Sequence, residues 1–338
     1  MRWVAAACAA LYFVALVAIT LSLRFVGERW WGTDVGLYVP RVVFLAPLPI
    51  TAGALLAFGP RRLLYAELVA FFFVLFSLMG FVVSFPPSTA KPSIRVLSIN
   101  VNSVYAGVQT VVDAIHAYSP DIVLMQEVLA NQEALQKSLS TFYSTVSGST
   151  QFAVATRFPI TATLEPERLP LFDRLRSPRF LRYTMQTPLG EVAVYNVHPI
   201  SPRYGLYSLR GRGGLRQELR SGSFFKAEHV GAMQADSALR ATQVTAFAKM
   251  ASAEPGPVIL GGDTNLPTLS PVLADGLGAF VDGFPSAGFG FGYTFPAKHP
   301  WMRIDRILTN HDLEFSTFKV GCEGASDHLC VVADIQRK

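Results

Sequence analysis

Eight polar residues of this chain stand at or just past the ends of apolar runs: Asn100, Glu127, His198, Asp263 with Asn265, Asp305, and Asp327 with His328. Strand ends held by a rigid sheet are where reactive groups gather. Each has an ordinary reading on its own, Asn100 or Asp263 as a turn residue and His198 as a loop histidine. Six separate strand ends bearing Asn, Glu, His, Asp, Asp and Asp-His are harder to assign to turns. The chemistry they suggest is that of a hard cation and a phosphoester. Glu127, Asp327 and Asn100 offer oxygen ligands, the type Mg²⁺ or Mn²⁺ prefers, leaving most of the coordination to water and phosphate. The sequence has no Cys/His cluster of zinc spacing, no H-E-x-x-H, no G-x-S-x-G elbow and no Walker A loop. A covalent serine mechanism and a nucleotide-driven motor are disfavoured accordingly.

A second chemical feature is a concentration of charge. Residues 157–226 carry twelve basic groups against five acids. Part of this stretch, 201–236, reads as a long insertion beside the site, with Arg210, Arg212 and Arg216 among glycines at its centre. Arginine binds phosphate bidentately, and glycine lets the backbone approach closely, so these three are candidates for substrate phosphate. Tyr204, Leu206, Tyr207, Leu209, Phe224 and Phe225 are interleaved with the charges. That mixture suits an anionic lipid headgroup, a nucleic acid, or simply a solvated loop.

The elements that must position these groups are short. Strands are expected over 94–100, 121–127, 152–156, 191–197, 258–260, 303–308 and 328–335, with helices over 108–118 and 237–250. Strands mixed with helices over this length suit one α/β domain, placed at 93–338 behind a proline-broken linker at 88–92.

The motifs Ser98-Ile99-Asn100, Gln126-Glu127, Asn196-Val197-His198-Pro199, Gly262-Asp263-Thr264-Asn265, Arg303-Ile304-Asp305-Arg306-Ile307 and Ser326-Asp327-His328 occur in an order that resembles the endonuclease/exonuclease/phosphatase (DNase I-like) superfamily. The resemblance implies a two-sheet β-sandwich flanked by helices, where periodicity alone says only α/β. It also implies roles. Glu127 would be the main metal ligand, helped by Asn100 and Asp327. Asp263 would orient or deprotonate the attacking water, and Asn265 would hold it and the phosphate. His198 and His328 would bind phosphoryl oxygens, with Asp305 orienting His328. Two positions depart mildly: Pro199 follows His198 where members often have Leu, and Ser-Ile-Asn replaces the commoner Tyr-Asn. The implied activity is metal-dependent hydrolysis of a phosphodiester or phosphomonoester, with Mg²⁺ or Mn²⁺ as cofactor. The alternatives are a surface-displayed nuclease and, further off, an inactive metal-binding or scaffolding module.

Before this domain the composition changes. The whole chain is 51% hydrophobic and only 16% charged, with a mean hydropathy of +0.34. Soluble domains carry about 25% charged residues, and disordered chains are poor in apolar ones. The first ninety residues hold nine charges, six Arg and three acids. Uncharged runs of membrane length predict three transmembrane helices at about 3–23, 42–60 and 64–86, within an anchor spanning 1–87. Pro47, Pro49 and Gly53 weaken the second. Arg61 and Arg62 in the tight turn mark the cytoplasmic side, which puts the catalytic domain outside a bacterial inner or plasma membrane. Arg24, Arg29 and Arg41 in the longer connection weigh the other way. Glu67 reads as an interfacial ion-pair partner for that turn. Cys322 and Cys330 flank Asp327, and either a disulfide or two buried thiols fits the spacing. The net charge of +5 divides into +3 over residues 1–90 and +2 over 91–338, so the basic character is no argument for nucleic acid.

Overall fold

The computed structural model describes residues 1–87, 93–171, 174–210 and 227–338. The first apolar run forms α1 (Arg2–Phe25). A connection containing α2 (Trp31–Leu37) follows. The second run opens with a 3₁₀ turn (Arg41–Leu45) and continues as α3 (Leu48–Phe58). Pro47 caps α3 and Pro49 lies in its first turn, where the missing N–H has no partner to lose, so the prolines start this helix rather than break it. Among the described residues, Arg2–Phe25 and Arg41–Phe58 are the two helical stretches long and apolar enough to cross a membrane.

The third run departs from expectation. The helix α4 (Leu64–Phe73) extends through one π-helical turn to Leu78 and ends there, 15 residues in all, where a span over 64–86 was expected. Gly80 takes a left-handed φ of 74°, and Val82–Val83 (β1) pairs antiparallel with Gly290 and Phe289. Sheet pairing takes up chain that hydropathy alone reads as membrane. Glu67 is also not placed as expected: it is buried and forms no ion pair among the described residues, while Arg61 and Arg62 face outward. The three helices pack through a thin seam that includes Leu16, Leu55 and Val74, whereas Trp3 and Ile50 are 88% and 74% exposed.

The rest is a sandwich. One sheet has the order β15 (Leu313–Gly321), β16 (Cys330–Arg337), β2 (Ser93–Asn100), β3 (Ile122–Gln126), β5 (Phe152–Thr156), β4 (Thr145–Ser149). The other has β12 (Val281–Asp282), β14 (Asp305–Thr309), β11 (Val258–Asp263), β10 (Gly190–Val197), β9 (Phe180–Thr187), β6 (Ile160–Leu164). Two small ribbons, β7 (Leu169–Leu171) with β8 (Arg174–Arg176) and β1 with β13 (Phe289–Gly290), complete the strands described. Central strands are buried on both faces, which is why they read as continuous apolar runs. Ile94, Val96, Leu124, Val194 and Ile259 meet between the sheets. Leu97, Ile99, Val123 and Met125 point outward beneath α5 (Val108–His116) and α6 (Gln132–Leu139). On the opposite outer face, Tyr195, Val258 and Leu260 pack against Val244 and Phe247 of a long helix.

The expected two-sheet fold is present, with differences in detail. The insertion at 201–236 begins with a helix, α7 (Arg203–Arg210). The helix expected at 237–250 is α8 (Ala227–Ser252), which starts ten residues earlier. Two short helices, α9 (Pro271–Leu277) and α10 (Gly283–Ala287), follow β11 and β12. The N-terminal helices rest on the sandwich through polar contacts. Arg29 pairs with Asp275 at 2.8 Å, Ser270 donates to Glu28, and the Tyr293 hydroxyl donates to Met79 O at 2.8 Å.

Candidate active site

Topology brings the predicted residues to one edge. β2 runs parallel to β3, and β10 parallel to β11, so their C-terminal ends lie together. Asn100 and Asp263 end β2 and β11, while Glu127 and His198 immediately follow β3 and β10. Antiparallel β14 and β16 return to the same edge and present Asp305 and the loop holding Asp327 and His328. Close approach needs the glycines before Asp263. A Cβ on Gly262 would lie 1.9 Å from Val197 O, and one on Gly261 would lie 2.6 Å from Leu124 Cδ1 across the sandwich.

Asp263 is the hub. Its Oδ2 accepts from Asn100 Nδ2 at 3.2 Å and lies 3.5 Å from His198 Nε2 and 3.8 Å from His328 Nε2. Its Oδ1 accepts the Asn265 N–H at 2.8 Å. Burial raises the pKa of this carboxylate, but His328 and His198 outweigh it and bring the value down to about 2. His328 Nδ1 bonds Asp305 Oδ2 at 3.0 Å. Burial works against its charge, yet Asp305 and Asp263 lift its pKa to about 9, so the imidazole is a cation at neutral pH. Burial, reinforced by Asp263, raises the pKa of Asp305 against the pull of His328. Glu127 is more open, its side chain 29% exposed and its Oε1 3.5 Å from His198 Nε2.

Further contacts hold this arrangement. Gln126 Nε2 donates to Asn196 Oδ1 at 2.8 Å, and Asn196 Nδ2 donates to Met125 O and Ala153 O, which ties the two sheets together directly beneath the site. Left-handed backbone gathers at the same rim, with φ of 55° at Glu127, 55° at Arg179 and 53° at Asn265. Such conformations cost about 1–3 kcal/mol each and persist where surrounding structure enforces them, commonly at functional sites. Cys322 and Cys330 form a disulfide that brackets the loop carrying Asp327.

The residues do not all converge equally. Glu127, Asp263, Asn265 and His328 line one cavity of about 530 Å³. Asn100 supports it from behind through Asp263. Asp327 is at its margin, 3.8 Å from Arg203. The side chain of Arg210, together with Arg212 and Arg216, lies outside the described residues. Other residues at the site went unpredicted. Gln151 Oε1 holds His198 Nδ1 at 2.8 Å, and the Arg179 carbonyl accepts the His198 N–H at 3.0 Å. Burial lowers the pKa of the Arg179 guanidinium against the pull of Glu127. Arg203, Trp301 and Tyr38 line the cavity. Gln151 and Tyr38 carry no signal in the sequence, because a turn and a distant connection deliver them.

The donor set fits a hard divalent ion. Glu127 turns a carboxylate toward the cavity, and Asn100 Oδ1 accepts only the Asn102 N–H among the described residues, at 3.0 Å. Asp263, Asp305 and His328 also cluster, their ligand atoms within 4.8 Å of one another. There the His328 Nδ1 is already engaged by Asp305 Oδ2 at 3.0 Å, and all three residues are buried, whereas Glu127 is open to the cavity.

Residues 97–328 match the model of the Endonuclease/Exonuclease/phosphatase family. No curated protein matches the chain. Among solved structures, an endonuclease/exonuclease/phosphatase from Beutenbergia cavernae DSM 12333 is 17% identical with a TM-score of 0.50, over 72% of each chain. SmcL is 14% identical with a TM-score of 0.52, over 72% of this chain and 99% of that one. Truncated Caenorhabditis elegans TDP2 is 18% identical with a TM-score of 0.50, over 72% and 97%. At such identities the likeness is one of fold.

Proposed function

The chain belongs to the endonuclease/exonuclease/phosphatase family, whose members hydrolyse phosphoric esters, and from that premise we propose a membrane-anchored phosphoesterase acting on a lipid headgroup or other small phosphoester. One observation carries the reading: Glu127, Asp263, Asn265 and His328 face a single cavity of about 530 Å³, partly closed by the N-terminal segment. That is the scale of a small-ligand pocket. The basic stretch at 157–226 favours a nuclease as the second reading.

Glu127, with Asn100 and Asp327, would hold the divalent ion. When bound, the ion supplies neutralisation of phosphate charge and a more acidic water. Asp263, ionised at neutral pH, accepts a hydrogen bond and then the proton from the attacking water, and Asn265 lies beside it. His328 offers its Nε2–H to a phosphoryl oxygen, where negative charge grows in an in-line displacement. Asp305 holds that imidazole through Nδ1. His198 contributes a second nitrogen between Glu127 and Asp263.

Anchoring is supported by the exposed apolar faces of α1 and α3. The connection at 27–41 contacts the sandwich, which puts both on one side of the helices and the turn with Arg61 and Arg62 at the other end. The positive-inside rule then assigns the turn to the cytoplasm and the enzyme, residues 93–338, to the outside. The disulfide suits that compartment.

Full-length protein in detergent with Mg²⁺, assayed against plasmid DNA and a phospholipid panel, tests the proposal. Lipid or small-ester hydrolysis lost in EDTA is the expected result. DNA nicking without it transfers the site to the nuclease reading, and no turnover of either overturns both.

A further inference from the structure

The catalytic cavity has two kinds of wall. One carries the carboxylates and His328; the other is apolar, built by Tyr38, Leu206, Phe295, Trp301 and Met302. Tyr38 belongs to the connection between α1 and α3, far from the enzyme in sequence, and it is fixed there by two hydrogen bonds. Its hydroxyl donates to Asn265 O at 3.3 Å, and its carbonyl accepts the Trp301 Nε1–H at 3.3 Å. Leu206 is held from the same side, packed with Met233 against Trp31 and Val35. Behind it the Ser237 hydroxyl donates to Asp34 at 2.5 Å, and Arg240 bonds Ser237 and Ile200 O, at 3.1 and 3.3 Å. The connection thus shapes the cavity at Tyr38 and again at Leu206.

We propose that the 27–41 connection is part of the catalytic cavity and that Tyr38 is a specificity-determining residue for phosphoesters bearing an alkyl chain, as membrane lipids do. The proposal rests on the phosphoesterase reading above and adds what that reading leaves open, the chemistry of the ester's other side. A polar wall would serve a sugar or a nucleotide. Aromatic rings can stack on a base, but the aliphatic Leu206 and Met302 beside them offer a base or sugar no polar partner, whereas an alkyl chain gains about fourfold in affinity for each methylene the wall buries. Its charge complement is at hand, since Arg203 lines the same cavity and the phosphate of an amphiphile is its only obligatory charge. The wall is also delivered by the chain that emerges directly from α1, whose outer face is apolar.

The test measures binding of methyl, butyl and hexyl phosphate to the full-length protein in detergent by calorimetry, beside turnover of the matching alkyl p-nitrophenyl phosphates. Wild type is expected to bind hexyl phosphate at least ten times more tightly than methyl phosphate. Tyr38→Ala should cut that gain below threefold, and Tyr38→Phe, which keeps the ring, should preserve it. Leu206→Ala trims the same gain from the other flank, so the outcome does not hinge on one variant folding. A flat series in wild type overturns the proposal, as does an unchanged gain in Tyr38→Ala and Leu206→Ala proteins that melt normally. If the binding series behaves as expected and no ester is turned over, the phosphoesterase reading falls while the wall and its ligand class stand.

Discussion

Two charged clusters around β10 are finished differently. In one, Arg182 grips Glu254 through bonds of 2.7 and 2.9 Å, and the Tyr195 hydroxyl adds a third at 2.6 Å. In the other, His198 stands 3.5 Å from both Glu127 and Asp263, and its buried Nε2 has no hydrogen-bond partner among the described residues. Folding alone favours the first pattern, because a buried polar group without a partner costs about 1–3 kcal/mol. The flank cluster is closed on itself by these three bonds. The cluster at the strand ends leaves that nitrogen unmatched beside a cavity lined by Glu127, Asp263 and His328, a pattern that suits the proposed substrate and ion site.

The sharpest way to break this comparison is to remove the hub. Asp263→Asn should lower phosphoester hydrolysis by about 10³-fold or more while shifting the melting temperature by less than about 4 °C. An equal loss of stability would make the cluster structural after all. Next in size, Glu127→Gln should weaken divalent-ion binding by at least about tenfold, read by Mn²⁺ titration calorimetry. The flank should respond in the opposite sense. Glu254→Gln should cost about 2 kcal/mol in chemical denaturation, since both partners are less than a quarter exposed, and leave kcat/KM within about twofold.

The smallest effect is in pH. The Arg182 hydrogen bond holds the Glu254 pKa below its usual value, against the opposing effect of burial. A depressed carboxylate stabilises the fold above its unfolded pKa, about 4.3, and that stability is lost as pH falls through the lower folded value. The stability gap between wild type and Glu254→Gln should thus be full at pH 7 and narrow below about pH 4. A gap independent of pH would show that lost packing, not charge, explains the variant.

Much of the site was legible in the sequence because strand-end residues fall at fixed places relative to apolar runs. Asn100, Glu127, His198 and Asp263 meet through the parallel pairing of β2 with β3 and β10 with β11, and Asp305 and His328 through the antiparallel return of β14 and β16. What was not legible arrives from outside the strands. Gln151 is a turn residue, and Tyr38 sits in a connection far from the site in sequence. The third membrane run misled for a related reason: Val82 and Val83 are as apolar as any membrane residue, but their backbone pairs with Gly290 and Phe289. Hydropathy records burial and not what does the burying. Edge strands such as β4 and β6 were missed because their half-exposed residues follow no clean alternation.

The central claim, a divalent-ion-dependent phosphoesterase centred on Asp263, is tested most directly by one assay. Full-length protein and its Asp263→Asn variant are compared in hydrolysis of hexyl p-nitrophenyl phosphate, each with Mg²⁺ and with EDTA. Turnover by wild type with Mg²⁺, abolished by EDTA and by the substitution, is the predicted result. Turnover that survives both EDTA and Asp263→Asn would contradict the account.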